Sequence, residues 1–250
     1  MERSAGANSS TSLNKPSEHP GRLMNNSRTP LLIMMITALL LAAGSLFAAQ
    51  PFEGVINFKI SYPGNKLTES QLALFPKALS VMIKGGRSRT DILTGGGSRV
   101  EITDHQEKTK IKLLNMMGQK YAIKYTADDI AKETAKEPPV KVDLTAETKN
   151  IAGYLCKNAV ITVNDKKGNY KIDVYYTPEL GGKQANFDKG IYKDIDGVLM
   201  EFSMRTPEMT MRFTASSVEK KAVSLKEFEI PPDYSILSKD ELKSKIGGKE

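Results

Sequence analysis

The segment DGVLMEFSMRT (Asp196–Thr206), followed by Pro207 and EMTMRFTASS (Glu208–Ser217), shows the clearest alternation of apolar and polar residues in the chain. A period of two residues is the signature of half-buried antiparallel strands. Pro207 marks the turn between the two runs. We therefore predict a hairpin with one apolar face, formed by Val198, Met200, Phe202 and Met204 on the first strand and by Met209, Met211 and Phe213 on the second.

The same alternation recurs along the chain from residue 52 onward. Glycine-rich or polar stretches such as TGGGS, MMGQ and DKKG separate the runs and are typical of turns. Together with the hairpin, they indicate about nine to eleven strands. The other predicted strands are Phe52–Ile60, Val81–Lys84, Arg89–Leu93, Arg99–Thr103, Thr109–Leu114, Lys120–Thr126, Lys141–Thr148, Asn158–Asn164 and Tyr170–Thr177.

The run from Thr109 to Thr126 is predicted to be a second hairpin, since two well-patterned segments flank MMGQ. On each of the two strands, the alternation places the apolar side chains on a single face. We expect these two sets to lie on the same face, with Ile111 and Leu113 beside Tyr121, Ile123 and Tyr125.

Three segments predict short helices. Residues 66–79, KLTESQLALFPKAL, have a capping box at Thr68 and Gln71 and a buried stripe at Leu72, Phe75 and Leu79, which Pro76 should end or kink. The segment ADDIAKETAKE, residues 127–137, predicts one or two helical turns. The tail SKDELKSKIGG predicts a terminal helix that is capped by Ser238 and Glu241.

These elements predict a mainly β fold that occupies residues 50–250 as a single domain. A long sheet with an apolar face must be covered by helices or must close on itself. We expect a curved antiparallel sheet or incomplete barrel with two or three short covering helices.

The leader, residues 1–49, predicts export. Arg28 precedes the apolar run Leu31–Gly44, and small residues follow it, which is the arrangement of a secretory signal peptide. The signal peptide is expected to span residues 24–48 or 24–49, with residues 1–23 as a start-site extension. An uncleaved membrane anchor is the alternative, because about 20 apolar residues can span a bilayer. Either reading predicts an exported protein, periplasmic or otherwise extracytoplasmic.

Charge and cysteine content exclude some classes of function. The chain has 36 basic and 29 acidic residues, and removal of the leader leaves 32 and 27. No run of basic residues accompanies this mild excess, so nucleic-acid binding is not expected, whereas transient contact with an anionic membrane is compatible with it. Cys156 is the sole cysteine, which rules out an intramolecular disulfide.

The chain offers little catalytic chemistry. Cys156 lies beside Lys157, but its nearest candidate base in the mature chain, His105, is some fifty residues away in a polar turn and is expected to be solvated. Asp128 and Asp129 are expected to stabilise a helix N-terminus. No spacing suggests a metal site or a cofactor. We therefore expect a protein that is not an enzyme, with no cofactor.

Two motifs carry a family resemblance: TKNIAGYLCKNAVITV and, after it, YKIDVYYTPEL. With the closing FEIPPDY, they resemble an exported family known as domain of unknown function 4412, and more distantly the secreted GLPGLI family. The resemblance implies a curved sheet with helices across its concave side, similar to periplasmic lipoprotein carriers. The matching residues are Lys149, Ile151, Gly153, Tyr154, Cys156, Lys157, Ala159, Tyr176, Thr177 and Leu180.

Two functions remain open on sequence grounds. The first is a carrier or binding protein for a lipid, acyl chain or other apolar ligand, because methionine side chains adapt to varied apolar partners. Its candidate wall is Met200, Phe202, Met204, Met209, Met211 and Phe213, although from sequence alone a buried core is the more common role for such a face. The second is a structural or assembly partner of an envelope protein, bound through an edge strand or surface patch, with the charged residues of Lys108–Lys112 protecting such an edge.

Overall fold

The computed structural model describes residues 51–94, 97–116, 118–165, 168–206, 209–239, 241–242 and 244, so the predicted leader lies outside it. Over these residues the chain forms a sheet of twelve strands. The strands are β1 (Gly54–Ser61), β2 (Ala78–Lys84), β3 (Arg87–Thr94), β4 (Gly97–Asp104), β5 (Thr109–Met116), β6 (Gln119–Tyr125), β7 (Val140–Ile151), β8 (Tyr154–Asp165), β9 (Gly168–Thr177), β10 (Val198–Arg205), β11 (Thr210–Lys220) and β12 (Ser235–Leu237).

The sheet consists of two meanders that meet along one seam. Its strand order is β12-β6-β5-β4-β3-β2-β1-β11-β10-β9-β8-β7. The seam joins β1 to β11, from Gly54 opposite Lys220 to Ser61 opposite Arg212. Every neighbouring pair is antiparallel except β12 with β6, which is parallel. The prediction of a mainly antiparallel β fold is confirmed, and the sheet is open, with β12 and β7 at its edges.

One face of β4, β5 and β6 is covered by the C-terminal tail, and we call it the tail face. Val100, Leu113 and Ala122 lie opposite one another on adjacent strands, so they share this face. Val223 and Phe228 of the tail pack on them. The tail is held at its start by Glu53, whose Oε1 accepts hydrogen bonds from the Val223 amide at 2.7 Å and from Lys84 Nζ at 2.9 Å.

The opposite face of the same strands is covered by a helix and by residues 178–197, which we call the insert. The helix spans Ala127–Thr134, and its Ile130 packs on Ile123 and Tyr125 of β6 together with Phe187 of the insert. The insert contains three short 3₁₀ turns, at Pro178–Leu180, Lys183–Asn186 and Gly190–Tyr192. We call this side the insert face.

The side-chain arrangement expected for the 109–126 hairpin is wrong. Leu113 lies opposite Ala122, whereas Lys112 lies opposite Ile123 and Lys110 opposite Tyr125. Ile111 and Leu113 therefore point to the tail face, and the aromatic set of β6 points to the insert face. Because both faces are covered, each strand can carry its apolar set on a different side.

The predicted helix at 66–79 is much shorter than expected. Helix α1 covers Glu69–Leu72, and the predicted capping box of Thr68 and Gln71 is present. Leu79 does not belong to it. Leu79 lies buried in β2, opposite Phe58 of β1, because pairing with the sheet continues directly after Pro76 has interrupted the helix.

The other two helix predictions agree with the structure. The helix at Ala127–Thr134, α2, begins at a capping box of Thr126 and Asp129, and Asp128 pairs with Lys132 at 2.6 Å. At the C-terminus, Ser238 and Glu241 exchange the predicted hydrogen bonds, with the Glu241 amide 3.2 Å from Ser238 Oγ. Residues 245–250 lie outside the described residues.

The outer edge strand is β7, so the proposed role of Lys108–Lys112 in edge protection is wrong. Those residues precede and begin β5, which pairs with β4 on one side and with β6 on the other. In β7 the seven residues 144–150 are all exposed, and its pairing with β8 shifts register between Leu144 and Thr148. A bulge and charged side chains are common features of protected edges.

Replacement of Phe228 should reveal how strongly the tail stabilises the sheet. Phe228 is buried on Val100 and Leu113, so Phe228→Ala is expected to lower the free energy of unfolding by about 3 kcal/mol. Leu225, in the same 3₁₀ turn, is 56% exposed, and Leu225→Ala should change it by less than about 0.5 kcal/mol. Urea unfolding measures both, and equal losses would contradict this description of the tail.

Candidate functional site

The predicted Met/Phe wall is centred on an aromatic pair. Phe202 lies directly opposite Phe213 across β10 and β11, and the two rings stack with centroids 4.8 Å apart. Phe202 also meets Phe58 and Tyr192 edge-on, at 6.1 and 5.7 Å. Phe202 therefore has aromatic neighbours on several sides.

Met200 lies deeper than the strand pattern predicts. The pairing of β10 with β9 shifts register between Leu199 and Glu201, which makes a bulge at Met200. Its side chain is fully buried in a cluster with Ile56, Phe58 and Cys156. Val198 packs against the same cluster.

The other methionines lie toward the tip of the hairpin. Met204 and Met211 face each other across the two strands, and Met209 follows the two turn residues that lie outside the described residues. Met204 is 50% exposed, and Met209 and Met211 are half-buried. The six predicted residues thus form one strip that passes from core to surface, and their role in ligand binding stays a prediction.

An open groove of about 550 Å³ lies elsewhere on the sheet, along the ends of β1 to β4. The surface that lines it is mostly apolar, and the lining residues include Phe58, Leu79 and Ile92. Ala78 and Leu93, at the ends of β2 and β3, are exposed beside it. We call it the sheet-end groove. None of the six Met/Phe residues lines it.

A second, smaller groove of about 340 Å³ lies between α2 and the insert. Ile130 and Ala131 of α2 form one side, and Phe187 of the insert forms the other. Lys108 and Lys193 also line it, and both are exposed. We call it the helix groove.

Under the insert lies an ion pair that the sequence did not suggest. Asp188 of the insert has a fully buried side chain, and Lys110 Nζ of β5 lies 2.6 Å from its Oδ2. Lys189 Nζ lies 3.8 Å from Oδ1. Among the described residues, neither oxygen of Asp188 accepts a well-directed hydrogen bond. Burial on its own would raise the pKa of Asp188. The positive charges of Lys189 and Lys110 have the larger combined effect, so the pKa of Asp188 is lowered.

His105 is buried, so the prediction of a solvated turn histidine is wrong. Its Nε2 lies 2.9 Å from Ser88 Oγ, and its ring meets Phe187 edge-on at 5.9 Å. Burial lowers the pKa of His105 and keeps it neutral near pH 7. A serine beside a histidine has the geometry of an activated nucleophile. Here, however, both side chains are buried.

Cys156 lies in β8 and is fully buried. Burial raises the pKa of its thiol to about 11, which is the opposite of what a nucleophile requires. Within the described part of the chain, no group of three or more His, Cys, Asp or Glu residues is placed to hold a metal ion.

Comparison with known proteins adds little to this geometry. No family model matches the chain, and no curated protein matches it. Among solved structures, the chain is similar to LprF from Mycobacterium bovis, with 10% identity and a TM-score of 0.30, over 73% of this chain and 90% of that one. A similarity of this size does not establish a shared function, and the resemblance to the exported family 4412 stays a prediction.

Replacement of Asp188 should test the buried ion pair. Asp188→Asn leaves the buried Lys110 with Glu101, 3.8 Å away, as its remaining counter-charge, so the free energy of unfolding at pH 7 should fall by about 2 kcal/mol. A lowered carboxyl pKa stabilises the protein above the ordinary value of 3.8, and this stabilisation is lost as the pH falls through the folded-state pKa. The variant should therefore lose less stability than the wild type on acidification.

The matched control is Asp194, also in the insert, which pairs with Lys183 at 2.8 Å while both side chains are exposed. Asp194→Asn should cost less than about 1 kcal/mol. Urea unfolding at several pH values provides the measurement. If the two variants behaved alike, the ion pair of Asp188 would not hold the insert.

Thiol labelling should show that Cys156 is inert. With a pKa near 11, little thiolate exists at pH 7.5, and the side chain is shielded. The control is Leu155→Cys combined with Cys156→Ala, because Leu155 is the adjacent residue and is 60% exposed. The wild type should react at least about 100-fold more slowly than this variant with a maleimide. Comparable rates would indicate a reactive Cys156.

Proposed function

We propose that this protein is an exported, non-enzymatic binding protein that holds a lipid, an acyl chain or another apolar ligand in the sheet-end groove. The observation that carries the proposal is the groove itself. Its volume of about 550 Å³ and its mostly apolar lining match those of small-molecule sites, which span roughly 300–1,000 Å³.

Burial of apolar surface would provide the binding energy. Each methylene group removed from water contributes about 0.8 kcal/mol, so a short acyl chain suffices for useful affinity even after the cost of immobilisation. The groove is open to solvent, which suits rapid exchange of a ligand. The wall predicted from the Met/Phe strip is less suitable, because Phe202 and Phe213 already fill their surroundings.

The extracytoplasmic location rests on the leader sequence, with its Arg28 and the apolar run Leu31–Gly44. In the portion of the chain that the structure describes, no helix is long and apolar enough to cross a membrane. The family resemblance of the TKNIAGYLCKNAV segment also favours an exported protein.

The absence of enzymatic activity is part of the proposal. Cys156 has a raised pKa and is buried, which favours a structural role. The Ser88 and His105 pair is also buried, and neither residue lines the sheet-end groove or the helix groove. A reaction would need one of these groups to reach a substrate.

A second function is favoured by the exposed edge at β7. Seven consecutive exposed residues, 144–150, lie on a strand with a free side, and Leu144 and Leu155 nearby are 71% and 60% exposed. An extended segment of an envelope protein could add to this edge by main-chain hydrogen bonding. In this alternative the protein carries no small ligand.

Filling the grooves one at a time tests the leading proposal. Ala78 is exposed beside the sheet-end groove, so Ala78→Trp should block the groove without disturbing the core. We expect uptake of a fluorescent fatty acid to fall at least about tenfold, which corresponds to about 1.4 kcal/mol of lost binding. Ala131→Trp is the matched control, because Ala131 is an exposed alanine of the helix groove.

Loss of uptake in the Ala131 variant alone would move the ligand to the helix groove. If the wild type took up no probe and yielded no lipid in native mass spectrometry, the carrier proposal would be wrong. A photo-crosslinking residue at Thr148 would then test the alternative. Recovery of one stoichiometric envelope protein would support binding through β7.

A further inference from the structure

One end of the sheet gathers the termini of five neighbouring strands, β3, β2, β1, β11 and β10. The register shows this directly: Lys59 at the end of β1 lies opposite Ala78 at the start of β2, and Ser61 lies opposite Arg212 near the start of β11. Met204 of β10 lies opposite Met211. Four strand spacings of about 4.8 Å make this end roughly 19 Å wide. We call it the rim.

Large apolar side chains stand exposed on the rim. Leu93, at the end of β3, is 75% exposed, and Met204, near the end of β10, is 50% exposed. Leu74 lies in the connection between β1 and β2 and is 67% exposed. That connection is fixed in place, because Tyr62 Oη donates a hydrogen bond to the Pro76 carbonyl at 2.5 Å. Exposed apolar residues that share one end of a fold often mark an interaction surface.

Basic side chains surround these apolar residues. Lys59, Lys66, Lys77 and Arg212 are all exposed, and none of them forms an ion pair with any described residue. Arg205 is also exposed and lies 4.7 Å above the Tyr170 ring. Uncompensated positive charge next to exposed leucine and methionine is complementary to an anionic lipid surface.

At the opposite end of the sheet two basic residues are paired, with Lys84 2.9 Å from Glu53 and Arg87 3.0 Å from Asp104. Lys220, at that end of β11, is exposed and forms no ion pair with any described residue. What marks the rim is therefore the combination of unpaired basic residues with the exposed side chains of Leu74, Leu93 and Met204.

We propose that the rim docks on the surface of an anionic membrane. Leu74, Leu93 and Met204 would enter the interface, and the basic residues would contact the lipid headgroups. The proposal extends the proposed function, because Ala78 and Leu93 belong both to the rim and to the sheet-end groove. Docking at this end would bring the groove against the bilayer, where a lipid could pass from one to the other.

Vesicle cosedimentation of the ligand-free protein tests the docking. The wild type should bind vesicles of phosphatidylcholine with one third phosphatidylglycerol, and should bind pure phosphatidylcholine much more weakly. Each basic residue near an anionic surface contributes about fivefold to the affinity, so Lys66/Lys77/Arg212→Glu should weaken binding at least about 100-fold. Binding should also weaken as salt is added.

The matched control reverses three exposed lysines away from the rim: Lys136, Lys157 and Lys220. Lys136/Lys157/Lys220→Glu has the same net charge, and its vesicle binding should stay within about threefold of the wild type, because the rim is intact. Equal losses in the two triple variants would show a general charge effect and overturn the proposal. Failure of the wild type to bind anionic vesicles would also overturn it.

Leu74→Asp separates docking from ligand binding, since Leu74 does not line the groove. Leu74→Asp should weaken vesicle binding about tenfold, because the apolar surface of this leucine is no longer buried at the membrane interface. Uptake of a fluorescent fatty acid in the absence of vesicles should be unchanged. Unchanged vesicle binding in this variant would contradict the docking, whereas absence of uptake in the wild type would contradict the groove alone.

Discussion

Strands β5 and β6 carry apolar side chains on both faces, and this constraint determines where the C-terminal tail, α2 and the insert must lie. Leu113 and Ala122 need a cover on one side, and Ile123 and Tyr125 need one on the other. The C-terminal tail provides the first cover, and α2 with the insert provides the second. A sheet with only one apolar face would need a cover on that face alone.

The pair of Lys110 and Asp188 gives the second cover its position. A buried ion pair contributes little net stability, because both charges lose their hydration. Its value is geometric, because Asp188 comes within 2.6 Å of Lys110 only in this placement of the insert, and any other placement loses this contact. Asn186 fixes the shape of the insert itself, since its Nδ2 donates to the carbonyls of Ile195 and Gly197, in the same segment, at 2.9 and 2.8 Å.

Strand content and capping were predictable because both depend on local patterns. The alternation of apolar and polar residues predicted the hairpin of β10 and β11. Thr68 and Ser238 were predicted as helix caps because each is followed three positions later by Gln or Glu. Long-range contacts were not predictable. His105 looked solvated because its sequence neighbours are polar, yet Phe187 covers it from more than eighty residues away. The ion pair of Asp188 was likewise not predictable, because its partner Lys110 lies on β5, far from it in sequence.

The seam between β1 and β11 has a consequence for how the chain folds. Asn57 Nδ2 donates to Ser217 Oγ at 3.0 Å across 160 residues of sequence, so the middle of the sheet joins the first strand to the penultimate one. Contacts between residues so far apart in sequence slow folding, because a long loop must close before the pairing of β1 with β11 stabilises the chain. The pairing of β1 with β11 therefore waits for nearly the whole chain. A chain whose sheet is completed late can still be threaded across a membrane, which the export predicted from the leader would require.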